Sequence, residues 1–185
     1  MEPATHHNST TTHPTAPTIW SKGSKGGLIT GAVLVIFSLL MYLLGEANNA
    51  WLSGLTTLFS LIIGIALTHR AFKEENEGFM TYGQGLGLGS VLGLIAGLLV
   101  GIFSFIYVSF VDPNVMQERL DETRYQYEEM GMADSQIDQS MAMMEMIFTP
   151  GMTFIFSIIG LLFYAFVLSL IISAFTKNNH PEHVY

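Results

Sequence analysis

The alternation of apolar and polar stretches divides the chain into four long apolar runs: Leu28 to Leu44, Trp51 to Thr68, Leu86 to Val111 and Met152 to Thr176. None contains Asp, Glu, Lys, Arg or His, and each approaches or exceeds the roughly 17 to 25 residues that a helix needs to cross the hydrocarbon. The pattern predicts four transmembrane helices, at about 27–45, 51–68, 84–111 and 151–176, within a membrane domain of 20–178. The first run does not fit a cleavable signal, which has a basic start and an apolar core of about 7 to 15 residues. Here a polar leader rich in Thr, His and Pro precedes a longer run, so it should remain in the mature chain.

Between the third and fourth runs lies the only sizeable polar segment. It predicts a helical hairpin over 113–149. Asp112 stands as a plausible N-cap with Pro113 at the first helical position, and Gly131 offers a stop. The second helix should open near Ser135 and Asp138, which approximate a capping box, and end where Pro150 blocks its continuation. On it Ile137, Met141, Met144 and Phe148 recur at helical spacing, an apolar face that needs a cover. The expected cover is a partner protein or lipid.

Residues 1–19 have almost no large apolar side chain to bury and read as a disordered cytoplasmic tail, with 179–185 as a short C-terminal tail. His6, His7 and His13 read as polar filler rather than a metal tract. Trp20 beside Lys22 and Lys25 suits an anchor at the headgroup level. Lys22 and Lys25 precede the first run, Arg70 and Lys73 follow the second, and Lys177 follows the fourth, whereas the loop "GEANNA" has no basic residue. Basic residues flank the cytoplasmic ends of spans, so both termini should be cytoplasmic and the hairpin extracytoplasmic, in a bacterial inner membrane. Arg119 and Arg124 in the hairpin count for less, because that segment is long and acidic.

Composition agrees with membrane residence: half of the 185 residues are apolar, 12% are charged, and there are 18 glycines. A formal charge of −8 with seven scattered basic residues argues against nucleic acid as a partner. The absence of cysteine removes disulfides, thiolate metal sites and a cysteine nucleophile.

Candidate chemistry narrows to one row of residues. Gly85, Gly89, Gly93, Gly97 and Gly101 recur every fourth position. "GQGLGLG" has no preceding strand, no downstream ribose-binding acid in register and no Lys followed by Ser or Thr, so nucleotide binding does not fit. The row suits helix packing, because helices in lipid associate by close approach over small residues. Four residues at ~100° each overshoot a turn by ~40°, so a straight parallel neighbour could not touch all five glycines. Either an angled helix follows part of the row or two helices share it. Thr56, Ser60, Gly64 and Thr68 on the second span, and Ala165, Ser169 and Ser173 on the fourth, offer matching rows. The third span should therefore be central, with both rows against it.

Other chemistries have less to work with. At membrane depth the spans carry only Ser, Thr, Tyr42, Tyr107 and Tyr164, with Gln84 where the third begins, which disfavours an ion- or proton-coupled carrier. The methionines Met116, Met130, Met132, Met141, Met143, Met144 and Met146 cluster in the hairpin; an adaptable contact surface outweighs a Cu(I) site, since no His or Cys completes one. The hairpin acids lack EF-hand spacing and read as a solvated face. No catalytic constellation is visible, and neither a metal nor a cofactor is called for.

"GFMTYGQGLGLGS" leading into the third span, "YVSFVDPN" leaving it, the acidic hairpin and "SLIISAFTKN" closing the fourth span together resemble a bacterial membrane family, domain of unknown function 4199, from about Lys25 to Lys177. The resemblance implies a small four-helix inner-membrane protein, seen mostly in Bacteroidota, with no assigned activity. The sequence thus predicts an all-α integral membrane four-helix bundle with an extracytoplasmic amphipathic hairpin between helices three and four. Its expected role is a non-enzymatic interaction or assembly subunit, in contact with membrane lipid and a membrane protein partner or a second copy. The alternative is a small transporter or channel-like protein.

Overall fold

The computed structural model describes residues 17–47 and 49–179. The readings made for most of the N-terminal tail, including His6, His7 and His13, and for all but the first residue of the C-terminal tail fall outside them. The chain forms α1 (Ile19–Leu43), α2 (Ala50–Glu75), α3 (Tyr82–Ile106) continued by a π turn (Tyr107–Val111), α4 (Val115–Glu129), α5 (Asp134–Ile147) and α6 (Pro150–Thr176). Among the described residues there is no strand, only an isolated antiparallel bridge between Met80 and Asn178. α1, α2, α3 with its π turn, and α6 are long and apolar enough to cross a membrane.

The helices outrun the apolar runs that predict them. α1 starts at Ile19, not near 27, because the Thr18 hydroxyl accepts from the Ser21 amide at 3.1 Å and satisfies a first-turn donor. α2 continues past Thr68 to Glu75, carrying His69, Arg70 and Lys73 as part of the helix. A capping box opens α3: the Gln84 amide donates to the Thr81 hydroxyl at 3.2 Å, and the Gln84 side chain accepts from the Thr81 amide at 2.8 Å. Gln84 is thereby a capping residue.

α3 packs along both α6 and α1, while α2 packs chiefly on α1. The α3–α6 contact runs the length of the glycine row. A methyl at Gly85 would collide with the Ser173 side chain, at Gly89 with Ser169, at Gly93 with Ala165 and the Leu161 carbonyl, at Gly97 with the backbone of Ser157 and Ile158, and at Gly101 with Phe154. One helix therefore follows all five, which corrects the expectation that a single neighbour would follow only part of the row; α2 shares it at Gly85 alone, through His69. The contacts on α6 also step by about four residues, so the two rows drift in the same sense and follow each other. The drift excludes a straight neighbour, not a winding one.

The other flank of α3 meets a second glycine row, on α1, that the sequence reading passed over. Gly23, Gly27 and Gly31 of α1 lie against Val91, Ile95 and Ala96 with Leu99. The small row of α2 does not face α3 as expected but α1: Gly64 abuts Thr30, and Gly26 of α1 abuts Thr68, a reciprocal pair of notches. Ser60 on the same helix is half-buried. The reason is steric, since Val91, Ile95 and Leu99 fill the α3 surface on that flank and α1 brings the glycines that accommodate them. Leu34, Leu61, Ile65, Leu92, Leu161 and Ala165 form the apolar core that all four long helices share.

The hairpin closes on itself. Leu120 of α4 packs with Ile137 and Met141 of α5, and Tyr127, Met132, Met144 and Phe148 surround them. The apolar face read as open to a partner or lipid is covered by α4. The methionines left exposed are Met130, Met143 and Met146. α4 begins two residues later than expected, at Val115, because Asp112 spends its side chain on the Asn114 amide at 3.2 Å in an Asx-type turn. α5 begins at Asp134, with the Gln136 side chain accepting from the Ala133 amide, so Ser135 lies inside the helix. Gly131 ends the turn after α4 at a φ of 72°, where glycine is favoured.

Candidate functional site

Near the hairpin, α1, α2, α3 and α6 line a cavity of about 230 Å³. This is far more than the ~10–15 Å³ that holds one water. Its wall is unusually hydroxylic for a membrane interior: Ser38 and Tyr42 from α1, Ser53, Thr56 and Thr57 from α2, Ser104 from α3, and Thr153 and Ser157 from α6. Arg119 of α4 is the one charged side chain among the lining residues, and Leu34 closes the inner end. Ser157 lies two turns inside α6, roughly 10 Å from its start at 1.5 Å per residue.

The hydrogen bonds fix what this wall offers. Thr57 and Ser157 donate their hydroxyl hydrogens to the carbonyls of Ser53 and Thr153, each at 2.8 Å, so they turn lone pairs to the cavity. Arg119 supplies donors only, and it lines the cavity beside Tyr42. Tyr42 stacks on Tyr107 with ring centroids 3.9 Å apart. Tyr107 begins the π turn, in which the Asp112 amide reaches back to the Tyr107 carbonyl at 2.9 Å. That extra residue re-aims the end of α3, as π turns commonly do near functional sites. Mixed donors, acceptors and one cation can hold a small polar or acidic group.

Inward of Leu34 the shared apolar core fills the bundle, and beyond it lies a second polar layer. His69 of α2 is fully buried. Its Nε2 lies 3.0 Å from the Gly85 carbonyl and its Nδ1 2.9 Å from the Thr176 hydroxyl. A carbonyl can only accept, so Nε2 carries the hydrogen and, in the neutral ring, Nδ1 accepts from Thr176. The same hydroxyl lies 2.9 Å from the Ile172 carbonyl, an alternative acceptor. Ser169 and Ser173 are buried with no hydrogen-bond partner and rest against the glycine backbone of α3, where a Cα–H is the available weak donor.

Of the residues singled out from sequence, the five glycines and Ser169 meet along the α3–α6 seam, Gly64 meets α1, and Ile137, Met141, Met144 and Phe148 meet inside the hairpin. None of these lines the hydroxyl-walled cavity, whereas Tyr42, Thr56 and Arg119, also named from the sequence, do. The cavity residues carried a sequence signal, hydroxyls four apart at Ser38/Tyr42, Ser53/Thr57 and Thr153/Ser157, which bonding to their own helices explained only in part. His69 was missed because it stands one residue past an apolar run. Continuing the buried stripe Leu61, Ile65, Thr68, Phe72 at helical spacing would have brought it inside. Among the described residues no cluster of His, Asp or Glu is placed to hold a metal.

A family model described as protein of unknown function (DUF4199) matches residues 25–178. No curated protein and no solved structure matches the chain.

Proposed function

The chain belongs to the DUF4199 family, whose description carries no activity, and we propose that it is a non-enzymatic multi-pass membrane protein that takes a small polar or acidic ligand into its hydroxyl-lined cavity, as a binding protein or small carrier. The observation that carries this reading is the cavity, because a transport role requires a polar space entering the bundle and a filled bundle would have removed it. The proposed setting is a bacterial inner membrane with both termini cytoplasmic and the hairpin outside. Its support is the clustering of Lys22, Lys73 and Lys177 at the end of the bundle away from the hairpin: Lys22 pairs with Glu75, and Lys73 donates to the Thr176 carbonyl at 3.2 Å.

The test uses the absence of native cysteine. In cells, a membrane-impermeant maleimide added outside should label a Ser157→Cys variant and leave a Leu92→Cys variant untouched, since Leu92 is fully buried in the apolar core. Equal failure of both to label would reject an outward-opening cavity.

The assembly-subunit reading keeps one supporting observation, the exposed Met130, Met143, Met146 and Ile147 of the hairpin. Exposed methionines suit adaptable contacts. Photocrosslinking from position 146 in native membranes should recover a membrane protein or a second copy; recovery of lipid alone would count against it.

A further inference from the structure

The cavity is not walled on every side. It shares Leu34, Ser38, Thr57 and Ser157 with a second space of about 450 Å³ along α6, bordered on the α2 side by Thr57, whose remaining wall is apolar apart from the Tyr164 hydroxyl. These two helices touch each other far less than α3 touches α6 or α1. A methyl at Gly160, on this wall, would meet nothing within 4 Å, and Phe156 and Phe163 beside it are 47% and 66% exposed. The second space therefore opens sideways, at the depth of the apolar spans, toward hydrocarbon.

The two spaces make opposite demands. Hydroxyl lone pairs accept hydrogen bonds, and the five-donor guanidinium of Arg119, already engaged with its neighbours, has the fork geometry that suits an added acidic oxygen. The slot between α2 and α6 offers a water-sized solute almost no partner, and water there would lack the two to four hydrogen bonds it needs. A hydrocarbon alone would leave the polar end unmatched. We infer that the occupant is a single-chain amphiphile that enters from the bilayer between α2 and α6, with its acidic head at Arg119 and its acyl chain in the slot. The chain stays in apolar surroundings throughout, so the head supplies the affinity and the chain sets the route.

This inference rests on the cavity reading, and the two fail differently. The full-length Ser157→Cys variant in nanodiscs is labelled with a water-soluble maleimide, alone and with each probe. Palmitate and palmitoyl lysophosphatidate, which share an acidic head, should protect the thiol; comparison of the two tells a carboxylate from a phosphate source. Cetyl alcohol, acetate and inorganic phosphate should not protect. Adding Arg119→Gln should weaken protection by the acidic amphiphiles about tenfold or more, the scale of one hydrogen bond to a charged group. Adding Gly160→Trp should block the slot and abolish their protection while leaving the thiol reactive; Gly160→Leu serves in its place if the larger residue lowers the yield of folded protein.

Protection by acetate or inorganic phosphate, insensitive to Gly160→Trp, would overturn the inference and leave a cavity for a water-borne solute. Equal protection by cetyl alcohol would overturn the acidic head. A thiol that never reacts would overturn the cavity reading itself.

Discussion

At the scale of single residues, glycines divide by what surrounds them. Gly97 faces the α6 backbone, with the Ile158 Cα 2.9 Å and the Ser157 carbonyl oxygen 3.0 Å from where a methyl would stand. Backbone on both sides cannot rotate away. Gly97→Ala should destabilise the protein by about 1–3 kcal/mol, the range for overpacking. Gly54, which has open space around it, should gain up to about 1 kcal/mol as alanine through helix propensity. Thermal unfolding in detergent checks both, and equal responses would show that the glycine seam has no role in packing. His69 provides a second contrast. His69→Leu gives up bonds to Gly85 and Thr176, together worth about 1–3 kcal/mol, whereas His69→Gln can keep one of them and should lose less. Equal loss would mean that shape, not hydrogen bonding, holds that site.

Among elements, the four spans were legible because an uncharged apolar run of membrane length finds few surroundings apart from a bilayer that suit it. Their ends were less legible. The polar start of α1 is helical because Gly23 and Gly27 let it lie on α3, a tertiary reason that hydropathy does not register. The pairing of small rows was half legible: α6 lies on α3 as the rows suggest, but α2 turns its notches to α1, and only the positions of Val91, Ile95 and Leu99 in space decide that. The cavity was least legible, since its hydroxyls come from four helices and each looks ordinary on its own. The hairpin shows the limit from the other side, where a correctly located apolar face was already covered by Leu120. Ile137 is 2% exposed in that contact. Ile137→Asp should therefore open α4 and α5 to protease near Met130–Ala133 while the four spans keep their helical signal. Loss of the whole fold would mean that the hairpin is needed by the bundle.

For the whole molecule, the orientation is decided by reporters fused after Lys177 and inserted at Gly131, a turn residue with nothing within 4 Å of an added methyl. They should report opposite compartments; the same compartment from both would overturn the topology. The orientation also bears on how the molecule could move. At the end away from the hairpin, the backbones of Met80 and Asn178 exchange two hydrogen bonds of 2.8 Å, fastening the approach to α3 to the exit of α6. Together with the long seam, this makes α3 and α6 behave as one stiff plank, pinned like the spring end of a clothes peg. The wall least fastened to that plank is α2, at the jaw end where Arg119 and the hydroxyls stand.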